Sequence, residues 1–552
     1  MSEVTVKCEV ALAAEPRFVS VQSYIADVDD RYVATYKGKE VDGNMSTIEV
    51  LREDHKLIAE HIGEESFAED STQGLTTDPF ASAHTALPQE LIAKFDCLGL
   101  RFDGDILVIG APKTNWPKIE EYAKSVKLKI KLIDAGEHEI REAISLTQTI
   151  ARSKNNSFDI EVSEVGEAPI SALVQQIVER AVLERASDIH FEPYKEDLLV
   201  RVRIDGRLRL LVSLPSRLAP AVTSRIKVLS QMNIVERRRP QDGQFSTTVG
   251  DRHIDIRVAS VTTVHGEKIV LRLHDARKQS VSLEELGMSG LQLEQFSRMI
   301  RATNGLILVA GPTGSGKTTT LHSGIKAVSV SWKNVVTIED PVEYVVPGIT
   351  QIPIIDPANA GFAVQLRAVL RQDPDIILVG ETRDAETARI SVQAALTGHL
   401  VFSSIHATDS VGAVYRLLQM DIEPHLVASS LRGVVSQRLI RRNCRFCATS
   451  YRTTAAEAKT LEAFGLKAAT LVRGAGCTLC GGSGFRDRIA TYQILEMTEA
   501  LSDLIVSRPE PNEFRKYAAD SGMTTMDHEA VRLAAEGITT LDEALTLMVS
   551  SE

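Results

Sequence analysis

Residues Gly311 to Thr320 read GPTGSGKTTT, with Gly311, Gly316, Lys317 and Thr318 in register with G-x-x-x-x-G-K-[ST]. These residue types in this order suit the cradling of a nucleoside triphosphate. Glycines let the backbone of Gly311, Pro312, Thr313, Gly314, Ser315 and Gly316 curl inward around phosphate oxygens. A helix starting near Lys317, Thr318 and Thr319 would add partial positive charge at the same point. Lys317 is expected to neutralise the β and γ phosphates, and Thr318 to ligate Mg²⁺. Such a loop predicts binding of a nucleoside triphosphate and says little about its purpose.

Downstream segments offer further chemistry. VVTIEDPVEY carries Glu339, Asp340 and Glu343. At the C-terminal edge of a parallel strand these acids would face the nucleotide, holding Mg²⁺ through water or orienting an attacking water. A solvated acidic loop is the alternative. In DPDIILVGE, Glu381 directly follows an apolar strand and resembles a Walker B acid, with Gly380 where many families put Asp. In TGHLVFSSIHATDS, His399 and His406 flank one strand, in structural roles or sensing the γ-phosphate. Of six cysteines, Cys8 and Cys97 stand alone and read as idle thiols. Cys444 and Cys447 (CRFC) and Cys477 and Cys480 (CTLC) form two C-x-x-C pairs suited to a tetrahedral zinc site, redox thiols being the alternative. With four protein ligands, such a site has no open position for catalysis.

These residues need elements to hold them. GLILVAG before the loop suits one buried strand, and TTTLHSGIKAV after it reads as a helix. Residues 1–85 are poorly defined and end in a polar linker. Residues 86–150 alternate helix and strand as a small α/β domain, followed by a second linker, TIARSKNNSFDIEVSEVGEAP. Residues 165–282 read as an α+β domain: a helix, three strands with DG at one turn, a helix and two strands. The P-loop domain spans 285–440, and 441–552 carries the cysteine knuckles and C-terminal helices.

At 552 residues, several domains are expected. The N-terminus lacks a basic start and a continuous apolar segment, so no signal peptide is expected there, and no run is long enough to span a bilayer. A cytoplasmic location follows. The formal net charge of −12 disfavours indiscriminate nucleic-acid binding.

The ordered set SDIHFEP, RVRIDG, RRRPQDGQ, GPTGSGKTTT, TIEDPVEY, LRQDPDIILVGE, TGHLVFSSIHATD and paired C-x-x-C resembles the secretion ATPase superfamily, specifically the type II secretion and type IV pilus assembly ATPases. The match runs from about residue 168 to the end, and residues 88–147 more loosely resemble the N-terminal docking domain of these proteins. The resemblance implies a multidomain α/β protein: a RecA-like P-loop domain, a PAS-like α+β domain before it, a small N-terminal α/β domain, and a zinc-binding C-terminal subdomain.

It also implies a homo-hexameric motor with Mg·ATP between subunits, associated with the inner membrane through a platform protein and a membrane-anchored docking partner. Glu343 would be the catalytic base and Glu381 would act on Mg²⁺ or water. His399 and His406 would form the histidine box, and Arg257, Arg272, Arg367, Arg371 and Arg488 would reach the phosphates. Departures from the family wording occur at Thr262, at Gln244 and in ATYQILEM near Arg488. The zinc pairs and long N-terminal region favour extension over retraction. The first 85 residues lack a paired Arg-Leu-Gly pattern, so no cyclic-di-GMP site is expected. A nucleic-acid translocating ring ATPase is the alternative, resting on basic clusters with little aromatic interleaving.

Overall fold

A computed structural model describes residues 34–36, 39–41, 83, 86–155, 167–275, 281–329, 331–355 and 360–549. Residues 1–73 and 74–552 form two compact units. In the first, strands Ala34–Tyr36 and Lys39–Val41 pair antiparallel. Any nucleotide-sensing motif elsewhere in residues 1–82 lies outside the described residues.

Within the second unit, the seven-stranded sheet positions the P-loop. Its order is Thr350–Pro353, Val335–Glu339, Ile376–Val379, Leu400–Ile405, Gly305–Ala310, Leu431–Asn443 and Phe485–Glu496. All neighbours run parallel except the last, which is antiparallel. Every residue of Gly305–Ala310, Ile376–Val379 and Leu400–Ile405 is buried. These runs are uniformly apolar or small because helices cover both faces of a parallel sheet. Phe296 of helix Gly290–Ile300 and Leu321 and Ile325 of helix Lys317–Val328 pack with Ile307 and Val309 on one face. Leu366, Val392, Val414 and Val427, from four helices, pack with Leu306, Leu308 and Val401 on the other.

This sheet crosses the domain boundary expected at residue 440. Its edge strand Phe485–Glu496 follows the cysteine knuckle in sequence. Leu501, Ile505 and Phe514 from the next helices also belong to the P-loop core. Local pattern shows where a strand is but not which sheet accepts it.

A six-stranded antiparallel sheet precedes it, ordered Arg207–Pro215, Asp197–Ile204, Asp188–Pro193, Gly266–Asp275, Arg252–Thr263 and Gln241–Val249. Helices Glu167–Leu183 and Ala219–Leu229 cover one face, placing Ile177, Val222 and Ile226 against Phe191, Val200 and Ile256. Strand Arg252–Thr263 alternates buried and exposed residues, as a half-covered strand must. The edge strand Gln241–Val249 has no counterpart in the sequence reading. Pairing with Arg252–Thr263 makes it a strand.

The small domain has a three-stranded sheet, Leu98–Asp103, Ile106–Ala111 and Ile130–Asp134. The sequence reading missed its first strand. Helix Glu137–Asn155 runs seven residues into the segment expected to be linker. This domain shares a core with the knuckle: Leu98, Leu100, Val108, Ile140 and Ala143 pack with Phe446, Leu479 and the four paired cysteines. Arg101 donates to the Phe446 carbonyl (2.9 Å), Thr478 donates to the Leu100 carbonyl (3.2 Å), and Arg445 pairs with Glu139 (2.5 Å). Among the described residues, no helix is long and apolar enough to cross a membrane.

Candidate functional site

The P-loop connects the end of strand Gly305–Ala310 to helix Lys317–Val328, at the C-terminal edge of the parallel sheet. In open α/β sheets ligands bind in the crevice at this edge. Gly311, Gly314 and Gly316 have φ of 149°, 77° and 88°. A Cβ on Gly311 would lie 2.5 Å from the Gln437 carbonyl oxygen and 2.6 Å from Ser315 Oγ, so no other residue fits. Gln437, on the neighbouring strand, donates from Nε2 to the Ser315 carbonyl (2.7 Å) and braces the loop from outside. Ser315 Oγ is buried with no hydrogen-bond partner, a polar atom turned into the loop. The glycine conformations, this atom and the following helix start fit a bound phosphate chain.

Lys317 Nζ donates to the carbonyls of Gly311 (2.8 Å) and Pro312 (3.0 Å), within its own loop. Burial pushes its pKa down, and Glu381 partly opposes that shift. Glu381 leaves strand Ile376–Val379 through Gly380. A Cβ at Gly380 would lie 2.9 Å from the Ile338 carbonyl oxygen, so the chain has no room for Asp there. Glu381 Oε2 pairs with Arg383 (2.6 Å), and His406 Nε2 lies 2.6 Å from its Oε1. Burial pushes the Glu381 carboxyl up, but Arg383, His406 and Lys317 outweigh burial and hold it below the usual carboxylate range. It is therefore ionised at neutral pH beside the phosphate lysine. Thus Lys317, Glu381 and His406 meet at the ends of three adjacent strands.

The remaining candidates occupy other places. Glu339 is buried and saturated: it accepts from Thr337 Oγ1 (2.6 Å) and Gln351 Nε2 (2.9 Å), and lies 3.1 Å from His322 Nε2. Asp340 and Glu343 are exposed on the loop beyond it. Thr318 and Thr319 occupy the first turn of the P-loop helix. His399 lies at the opposite edge of the sheet from the loop. Its carbonyl accepts from Gly305, which opens the P-loop strand, and its Nδ1 is 2.9 Å from the Ala394 carbonyl oxygen.

The arginines are spread more widely. Arg257 and Arg272 are direct cross-strand partners on the exposed face of the six-stranded sheet. Like charges so placed cost up to about 1 kcal/mol. Arg272 is offset by Asp188 at 3.0 Å, while the Arg257 side chain has no hydrogen bond or ion pair among the described residues. Arg367, on helix Phe362–Val369, pairs with Glu386 on the sheet face opposite the P-loop helix. Arg371 is exposed just beyond that helix. Arg488 is exposed on the edge strand, opposite Arg441.

Sequence reasoning missed Arg383, Gln437 and His322. Arg383 stands two residues after Glu381, so its proximity was readable. Gln437 and His322 carry no signal, because their partners lie 122 and 17 residues away in the chain.

At the knuckle, the four thiol sulfurs lie within 4.8 Å of one another, and all four residues are buried. The Cys444–Cys477, Cys447–Cys480 and Cys477–Cys480 sulfurs are 3.8, 3.9 and 3.8 Å apart. A tetrahedron of Zn–S bonds needs sulfurs roughly 3.8 Å apart, so this donor set fits zinc. Gly474 crosses Gly484 backbone to backbone, and a Cβ on Gly474 would lie 2.0 Å from the Gly484 carbonyl oxygen.

A covered parallel sheet with this loop, an ionised acid and a histidine at its C-terminal edge defines a P-loop ATPase. Residues 163–546 match the family model described as "Type II/IV secretion system protein". The chain belongs to that family, and it is an ATP hydrolase of the secretion and pilus assembly class. It is 42% identical over 379 residues to type II secretion system protein E of Pseudomonas aeruginosa, covering 69% of this chain and 75% of that one. It is 41% identical over 387 residues to the type IV pilus assembly ATPase PilB of Thermus thermophilus, covering 69% of this chain and 43% of that one. The X-ray structure of the Legionella pneumophila ATPase DotB shares the fold, with TM-score 0.52 and 20% identity, covering 69% and 96% of the two chains.

Proposed function

We propose that the chain is a homo-hexameric ATPase that powers extension of a type IV pilus or type II secretion pseudopilus through an inner-membrane platform protein. In this reading it is cytoplasmic, held at the membrane by that protein and by a membrane-anchored docking partner. The observation that carries it is the convergence of Lys317, Glu381 and His406 at one sheet edge, in a family member that also has the cysteine knuckle. The seven-stranded domain is RecA-like and the six-stranded domain PAS-like.

Lys317 and Thr318 hold phosphate and Mg²⁺. Glu343 polarises the attacking water, and Glu381 orders Mg²⁺ or water. His406 reports the γ-phosphate; His399, read from sequence as its partner, sits at the other edge of the sheet and holds the start of the P-loop strand instead. Arg257, Arg272, Arg367, Arg371 and Arg488 complete a nucleotide site across a domain or subunit boundary, a reading that the placement of Arg257 and Arg272 on the other sheet supports. An arginine supplied in this way contributes about 10³ to 10⁵ in rate. Cys444, Cys447, Cys477 and Cys480 hold structural zinc. Several arginines of the basic clusters are already paired, Arg201 with Glu192 and Arg441 with Glu543, which argues against nucleic acid as the track.

The test is steady-state ATPase activity with a Lys317→Ala control, adding in turn detergent-solubilised platform protein with lipid, and single- or double-stranded DNA. Stimulation by the membrane fraction alone supports the reading. Stimulation by DNA with a steep salt slope would move the chain to the nucleic-acid motors.

A further inference from the structure

His322 is a buried histidine on the P-loop helix that no part of the proposed chemistry uses. It is 2% exposed and stands five residues after Lys317. Its Nε2 lies 3.1 Å from Glu339 Oε2, and its ring centroid is 4.8 Å from that of Tyr344. Burial pushes the Glu339 carboxyl up, but His322, Gln351 and Thr337 outweigh it and keep the group below the usual carboxylate range. An ionised carboxylate only accepts, so His322 Nε2 carries the proton and donates.

The network continues past Glu339. Gln351 opens the return from the acidic loop, on strand Thr350–Pro353. Its Nε2 donates to Glu339 Oε1 (2.9 Å) and to the Tyr344 carbonyl (3.1 Å), and its Oε1 accepts from the Val346 N–H (2.6 Å). Thr337 Oγ1 donates to the same Glu339 Oε1 at 2.6 Å, leaving Oε2 to His322. The loop carrying Glu343 is therefore pinned at the residue after it and again at Val346, and both pins lead through Glu339 to His322. The P-loop helix and the loop that bears Glu343 are joined by a relay of three side chains, His322, Glu339 and Gln351.

We infer that His322 is a positioning residue for hydrolysis: through Glu339 and Gln351 it fixes the Glu343 loop against the P-loop helix. This rests on Glu343 being the base. Misplacing a reacting group by about 1 Å can cost on the order of 10²-fold in rate. The bond to Glu339 runs from Nε2, the far nitrogen of the ring. Glutamine extends an amide N–H to nearly the same place, whereas asparagine stops near Nδ1. Both remain polar and compact.

The experiment uses the full-length chain with His322→Ala, His322→Gln, His322→Asn and Glu343→Gln. It reads kcat for ATP and, separately, the Kd for Mg·ATP by calorimetry. His322→Ala and His322→Asn are expected to lower kcat about tenfold or more, leaving the Kd within about twofold, while His322→Gln recovers most of the lost rate. An unchanged kcat in His322→Ala, equal rates in the Asn and Gln variants, or a Kd weakened in proportion to kcat would each overturn the inference. Glu343→Gln separates the two layers. If that variant still turns over ATP, the assignment of Glu343 fails, and the positioning role fails with it. If it is inactive while the His322 variants are normal, only the positioning role fails.

Discussion

In the knuckle, four thiols from a short stretch of chain converge, all buried, with sulfur separations that match one metal. The nucleotide site instead draws Lys317, Glu381 and His406 from separate strand ends, and its proposed arginines lie elsewhere on the surface. The knuckle draws all four of its donors from one part of the chain. The P-loop lysine is satisfied for now by the carbonyls of Gly311 and Pro312, contacts that a phosphate chain would compete with. A staple must be complete in one state. On the reading proposed above, the nucleotide site is completed and dismantled in each cycle, and its arginines meet the phosphates only across a domain or subunit boundary.

The sharpest way to break this contrast is to disable one region and read the other. Lys317→Ala is expected to lower ATP turnover by roughly 10²- to 10³-fold, because a cation facing the developing phosphate charge is lost. Zinc content by elemental analysis should not change. Glu343→Gln should lower turnover about 10²- to 10⁴-fold, the usual range for losing a general base, with Mg·ATP still bound in calorimetry.

The reverse experiment is Cys477→Ser. It should abolish bound zinc and loosen the shared core, so that residues 98–146 become cleavable in limited proteolysis while Mg·ATP affinity persists. Retained metal would remove the zinc assignment. Unchanged protection of 98–146 would show that the small domain does not depend on the knuckle. Arg101→Ala probes the same junction more gently, since it removes one bond to the Phe446 carbonyl and a surface-edge pair with Asp103. A loss of about 1 kcal/mol in urea unfolding is expected.

The smallest effect concerns Cys97. Burial, with help from Asp96, pushes its thiol up to about 12. Among the described cysteines of the metal-loaded native chain it should resist alkylation at pH 8 and react only after denaturation. Mass spectrometry of iodoacetamide-treated protein checks this.

The chemistry of the two regions was unequally legible. G-x-x-x-x-G-K-T and the paired C-x-x-C are local patterns, because a phosphate cradle and a metal knuckle are made by consecutive backbone. Glu381 was readable from the apolar strand before it. Glu339, Asp340 and Glu343 read as equivalent acids, yet the structure buries Glu339 among Thr337, Gln351 and His322 and leaves the other two exposed. Alternation within a strand end cannot show which acid meets buried donors from other elements.

By itself, then, the sequence determined which residues could bind nucleotide and metal, since spacing along the chain decides a loop or a knuckle. It also determined the strand and helix periods around them. Tertiary structure alone decided that strand Phe485–Glu496 joins the P-loop sheet, that Gln437 braces the loop, and that the small domain's core merges with the knuckle. It alone set Arg257 opposite Arg272 and joined His322 to Glu339. Those outcomes depend on contacts between residues distant along the chain, where burial and hydrogen-bond satisfaction are settled by the whole fold.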